Sequence, residues 1–93
     1  MREKEIEQKL VKAVKLAGGW CIKFSPIGLN GMPDRIVLLP KGRITFIELK
    51  APNQKPRALQ KRRMKQLSQL GFACYVIDNF DAIGVVIDDI CST

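Results

Sequence analysis

No histidine occurs anywhere in the 93 residues. That absence excludes Ser-His-Asp and Cys-His triads, and any zinc site or metal nuclease built on imidazole. Cysteine is scarce: Cys21, Cys74 and Cys91 are odd in number, widely spaced and without a CxxC pair. A disulfide framework is therefore not expected, and reduced thiols of a cytoplasmic protein are. Cys21 and Cys74 lie in apolar runs and read as small core residues. No apolar run reaches the length of a membrane span. The opening MREKEIEQK has no stretch like a secretory signal, so no membrane partner is expected. Hydrophobic residues at 46% and charged residues at 27% are globular values and argue against disorder. A chain this short buries only about two-thirds of its unfolded surface, so one domain over residues 1–93 must supply the whole core. Chemistry is left to carboxylates, lysine, thiols or a hard metal ion.

Acidic residues are missing from one long stretch. None lies between Leu49 and Ile77, whereas Lys50, Lys55, Arg57, Lys61, Arg62, Arg63 and Lys65 all do. The rest of the chain holds nine basic and nine acidic residues, so the net charge of +7 belongs to this segment alone. A solvated helix face usually interleaves Glu among its Lys and Arg for i,i+4 pairing. A basic stripe without that interleaving is the footprint of a polyanion partner, whose condensed counterions are released on binding.

Hydrophobic periodicity predicts an α/β chain. Residues 2–17 form an amphipathic helix with Ile6, Leu10, Ala13, Val14 and Ala17 at helical spacing, stopped by Gly18-Gly19. Trp20 to Phe24 reads as a strand. Ser25 to Met32, with two glycines, a proline and an asparagine, reads as a loop. Ile36 to Leu39 and Ile44 to Leu49 form a hairpin about Pro40-Lys41-Gly42-Arg43. A helix begins at Pro56 and runs to Leu70, with Gly71 as its stop. Phe72 to Ile77 is a fourth strand. Asp78 to Asp81 offer N-caps for a last helix with Ile83, Val86, Ile87 and Ile90 on one face. The order is α-β-β-β-α-β-α, a mixed four-stranded sheet flanked by helices.

The acids stand out against this pattern. A three- or four-residue turn sets Leu39 against Arg43 or Ile44, which puts Asp34 opposite Glu48 or Leu49. In the first register Asp34 and Glu48 are cross-strand neighbours ~5 Å apart at Cβ, a destabilising pair unless something positive lies between them. Lys50, two residues beyond Glu48, projects from the same face. On the first helix Glu7 falls inside the arc of Ile6, Leu10 and Val14, and Glu3 lies one turn earlier. A carboxylate there is costly unless it is paired, binds a metal or reaches water at the rim. Hard oxygens, no imidazole and a basic surface point to Mg²⁺ or Mn²⁺ acting on a phosphate ester. The bland alternative is salt bridging alone, with Lys50 neutralising Glu48 and Asp34 capping the glycine-rich loop.

Met32-Pro33-Asp34, thirteen residues, then Glu48-Leu49-Lys50 resembles the PD-(D/E)xK nuclease signature. Together with Glu7, Gly31 and the segment Glu48 to Gln60, the chain resembles the VRR-NUC (virus-type replication-repair nuclease) domain over essentially its whole length. It is similar to stand-alone, phage-type members and, more distantly, to archaeal Holliday junction resolvases. The resemblance implies a restriction-endonuclease-like α-β-β-β-α-β core with an added C-terminal helix. It also implies a metal-dependent DNA endonuclease in which Glu7, Asp34, Glu48 and the carbonyl of Leu49 hold the ion and Lys50 serves catalysis. Further implications are 5′-phosphate and 3′-hydroxyl ends, a homodimer acting on branched DNA in repair, no small-molecule cofactor, and the bacterial cytoplasm if phage-encoded. The alternative function is a non-catalytic nucleic-acid-binding module on the same fold. Gln60, placed by helical bearing between Leu67 and Met64, is either close to the active site or a rim amide bonded to a loop. Arg57, Lys61, Arg62 and Lys65, with Lys55 at the loop entering the helix, are assigned to the DNA backbone.

Overall fold

Residues 1–92 are described by a computed structural model. Helix α1 (Glu3–Leu16) leads into β1 (Trp20–Lys23), β2 (Arg35–Leu39) and β3 (Arg43–Leu49). Helix α2 (Ala58–Gln69), β4 (Ala73–Ile77) and α3 (Asp81–Cys91) complete the order. The sheet runs β1-β2-β3-β4. The first two pairings are antiparallel, and β3 pairs with β4 in parallel, since α2 carries the chain back across the sheet as a parallel pairing requires.

Strand alternation gives the sheet two different faces. Val37, Leu39, Ile47, Leu49 and Ile77 turn to one face and pack in a single cluster with Ile6, Leu10 and Val14 of α1 and Ile83, Val86 and Ile90 of α3. Every one of these is buried, and each stabilises the fold by roughly 1.5–3 kcal/mol relative to exposure. The Tyr75 hydroxyl donates to Asp89 and ties α3 to β4; losing that bond on ionisation pushes the phenol up to about 12. The other face carries Glu48 and Phe46 and is covered by α2 only in part. There Phe46 packs against Phe24 and Phe72, Leu67 is buried, and Trp20, Ile22 and Ile44 remain exposed.

The hairpin takes the tighter of the two expected registers, with Leu39 opposite Arg43 and Arg35 opposite Ile47. Its turn holds Lys41 and Gly42 at φ 69° and 72°, a left-handed path that glycine takes without strain. Element ends differ from the sequence expectation by a residue or two. The largest shift is at α2, which begins at Ala58 and not Pro56. Gln60 is the reason: its Oε1 accepts the Arg57 N–H at 2.8 Å, half of a capping box that makes Arg57 the N-cap. The cap of α3 comes from Asn79, whose Oδ1 accepts the Ala82 N–H at 2.8 Å.

Candidate active site

The ladder ends at Arg35 opposite Ile47, and continuing its register by one step sets Asp34 against Glu48, where the loop enters β2. Asp34 Oδ2 accepts the Leu49 N–H at 2.8 Å, a bond from the carboxylate on one strand to the backbone of the next. Glu48 is 1% exposed, an extreme burial for a carboxylate. Its Oε2 accepts from Gln60 Nε2 at 2.7 Å and lies 3.2 Å from Lys50 Nζ. Its Oε1 is buried without a hydrogen-bond partner. Burial first, and the neighbouring Asp34 second, push the Glu48 carboxyl above the usual range. Lys50 pulls the other way, and the charge of Glu3 adds slightly to the upward push.

An orphaned carboxylate oxygen beside a second carboxylate is expensive to maintain in a fold. A hard divalent cation fits it, because it takes oxygen donors and removes both the desolvation and the repulsion. Among the described residues, however, no three acid or thiol side chains lie together as a ready metal cluster. Glu7 stands apart from the pair: its Oε2 is 3.2 Å from Arg35 Nη2, and its side chain is 28% exposed. Glu7, Glu3 and Asp34 nevertheless line one cavity of about 490 Å³ at the open end of β2. Asp34 also lines a smaller cavity of about 190 Å³ with Arg57, Gln60 and the 25–32 loop. It therefore stands between a hollow on the α1 side and one on the α2 side.

Two features hold the second hollow in shape. Arg63 Nε donates to the Asn30 carbonyl at 2.8 Å, pinning the loop to α2. Gly31, at φ +81°, lies so close to α2 that a Cβ there would stand 2.6 Å from Leu59 Cγ. Lys55, Arg57, Lys61, Arg62 and Lys65 are all exposed on α2 and the loop entering it.

Of the residues singled out in the sequence, the fold brings Asp34, Glu48, Lys50 and Gln60 together and leaves Glu7 across the neighbouring cavity. Gln60 is more central than either sequence reading required, since one amide both caps α2 and anchors Glu48. Sequence reasoning missed Arg35, Lys4 and Lys23. The signal for Arg35 was available: alternation turns it away from Asp34, toward the face where the helix bearing Glu7 packs. Lys4 and Lys23 line the larger cavity but lie outside the acid-free window, where charge counting alone cannot find them.

The VRR-NUC domain model matches residues 3–80, a span holding all of these side chains. The chain is 42% identical over 86 residues to “Putative nuclease p44” of Acyrthosiphon pisum secondary endosymbiont phage 1, covering 92% of each chain. It is also similar to a solved VRR_NUC domain, with a TM-score of 0.87, 28% identity, and 95% of this chain and 97% of that one covered. In sequence and in fold, the chain belongs to the VRR-NUC nuclease family.

Proposed function

We propose that the protein is a Mg²⁺- or Mn²⁺-dependent endonuclease that hydrolyses phosphodiester bonds in branched DNA, four-way junctions foremost, and acts as a homodimer. The observation that carries the chemistry is the buried, unpartnered Oε1 of Glu48 beside Asp34, in a chain whose net charge is +7. Asp34, Glu48, the Leu49 carbonyl and Glu7 are the groups that would hold the cation. Once bound, the cation supplies Lewis acidity toward a phosphate oxygen and acidifies a water. Gln60 and Lys50 both hold Glu48 Oε2, which keeps Oε1 directed away from them as a donor. The Leu49 N–H holds Asp34 in the same way. The Lys50 ammonium lies beside Glu48; it stabilises charge that develops on the phosphate and orients the attacking water. Water oxygen bonds to phosphorus as the bond to the 3′-oxygen breaks, leaving a 5′-phosphate and a 3′-hydroxyl. Lys55, Arg57, Lys61, Arg62 and Lys65 grip the flanking backbone without reading bases. Two such sites related by a two-fold axis would nick both strands symmetrically. A purely binding module has no use for two carboxylates at a phosphate site, where they repel the ligand.

The test is cleavage of a synthetic four-way junction by purified protein with Mn²⁺, with a chelator arm and an Asp34→Asn arm. Cutting is expected only in the first. Cutting that survives the chelator overturns metal dependence. Equal cutting of junction and linear duplex overturns the structure preference and leaves the nuclease chemistry in place.

A further inference from the structure

Arg35 follows Asp34 directly, yet alternation turns it to the opposite face of β2. Its side chain is 13% exposed. Nη1 donates to the Cys21 carbonyl on β1 at 3.2 Å, and Nη2 lies 3.2 Å from Glu7 Oε2 on α1. Nε is buried with no hydrogen-bond partner. One guanidinium on β2 is thus joined to both neighbouring elements while one of its own donors stays unsatisfied.

As a device for holding the core together, this is a poor choice. A half-buried ion pair such as this one recovers little net stability, because desolvation offsets much of the Coulombic gain. An apolar side chain would continue the row of Val37 and Leu39 on this face of β2, at an edge where Arg35 stands beside Glu7, Gln8, Val11 and Lys12. What the arginine supplies, and an apolar residue could not, is a fixed carboxylate. The planar fork holds Glu7 Oε2 in one place. Oε1 is the oxygen this pairing leaves for a ligand, and Glu7 lines both the cavity that Asp34 lines and a second one beside Arg35.

We propose that Arg35 is a positioning residue, whose guanidinium sets the Glu7 carboxylate at the cavity shared with Asp34 so that it can serve a divalent cation there. The proposal rests on the metal reading of the Asp34–Glu48 site given above. Groups that orient a metal ligand typically alter metal affinity by about 10–100-fold when removed.

The test is a thermodynamic cycle for Mn²⁺ binding, measured by calorimetric titration of the wild-type chain, Arg35→Met, Glu7→Gln and the double variant. Arg35→Met is expected to weaken Mn²⁺ binding about tenfold. In the Glu7→Gln background the same change is expected to cost nothing further, because the group through which Arg35 acts is already gone. Arg35→Lys, which keeps the charge but not the fork, is expected to recover part of the loss and stands in if Arg35→Met does not fold. Wild-type affinity in both single Arg35 variants overturns the proposal. So does an equal further loss in the Glu7→Gln background, which would mean a structural role unrelated to Glu7. Failure of the wild-type chain to bind Mn²⁺ overturns the metal reading itself, and that result is distinct from either of these.

Discussion

The two faces of the sheet are built to different specifications. On the α1–α3 face the β2, β3 and β4 strands meet the helices through Ile, Leu and Val, with Ile6, Leu10, Val14 and Ile47 entirely removed from solvent. On the α2 face a glutamate and a glutamine are buried side by side, one carboxylate oxygen has no partner, and large apolar side chains at β1 and the start of β3 remain exposed. The first face supplies stability. The second spends some of it to hold charge in a fixed place, the pattern expected where a fold carries a reactive site. Arg35 and Glu7 are the exception, since they place an ion pair at the rim of the apolar face, behind Asp34.

Substitutions separate the two faces. The largest effect is expected on the polar side: Asp34→Asn or Glu48→Gln should lower junction cleavage on the order of 10³-fold, through loss of metal-assisted charge stabilisation. Binding to the junction in Ca²⁺ should survive, and gel-shift titration checks this. Cleavage within a few-fold of wild type would break the division of labour. On the apolar side, Ile6→Ala should cost about 2–5 kcal/mol of stability. That corresponds to a fall in melting temperature of roughly 10–30 °C for a chain of this size. Calorimetry measures it, and cleavage per folded molecule should change little at a temperature where the variant stays folded.

A subtler effect sharpens the contrast. Exposed basic residues should matter to DNA and not to the fold: replacing Lys61, Arg62 and Lys65 by Ala should flatten the slope of log affinity against log salt by about 2–3. Stability should stay within about 0.5 kcal/mol. An unchanged slope would move the DNA surface elsewhere.

The smallest effect concerns pH. Because the Glu48 carboxyl is raised, the folded chain holds its proton to higher pH than the unfolded chain does. Its contribution to stability is full below the ordinary carboxylate range and is lost as pH rises through the raised value. Denaturant titrations of metal-free protein should show that loss in wild type and its absence in Glu48→Gln. They should also show Mn²⁺ offsetting it, by mass action on the folded state. A variant no more stable than wild type above that range would mean Glu48 is not strained.

Much of this was legible beforehand. Periodicity placed all seven elements, because α1, the β2–β3 hairpin and β4 carry apolar residues at clean helical or alternating spacing. Turn length left Asp34 opposite either Glu48 or Leu49, and the register of the hairpin, with Leu39 opposite Arg43, selects the first. What stayed hidden depends on contacts distant in sequence. The start of α2 is set by Gln60 capping Arg57, and a proline at position 56 looked the better helix start. Glu7 sat correctly on the inward arc of α1, but its partner Arg35 lies 28 residues away on another element. Strand alternation gives the face of Arg35 but not its pairing with Glu7, which only the packing of α1 on the sheet fixes. The acid-free window found the basic residues of α2 and missed Lys4 and Lys23, which only the fold carries to the cavity wall.

The most direct measurement is anomalous scattering from a crystal of this protein soaked in Mn²⁺. A strong peak in coordination contact with Glu48 Oε1 and an Asp34 carboxylate oxygen is the predicted result, and it should vanish in Glu48→Gln. A fully soaked crystal with no peak between those two side chains, or with peaks only elsewhere, would contradict it.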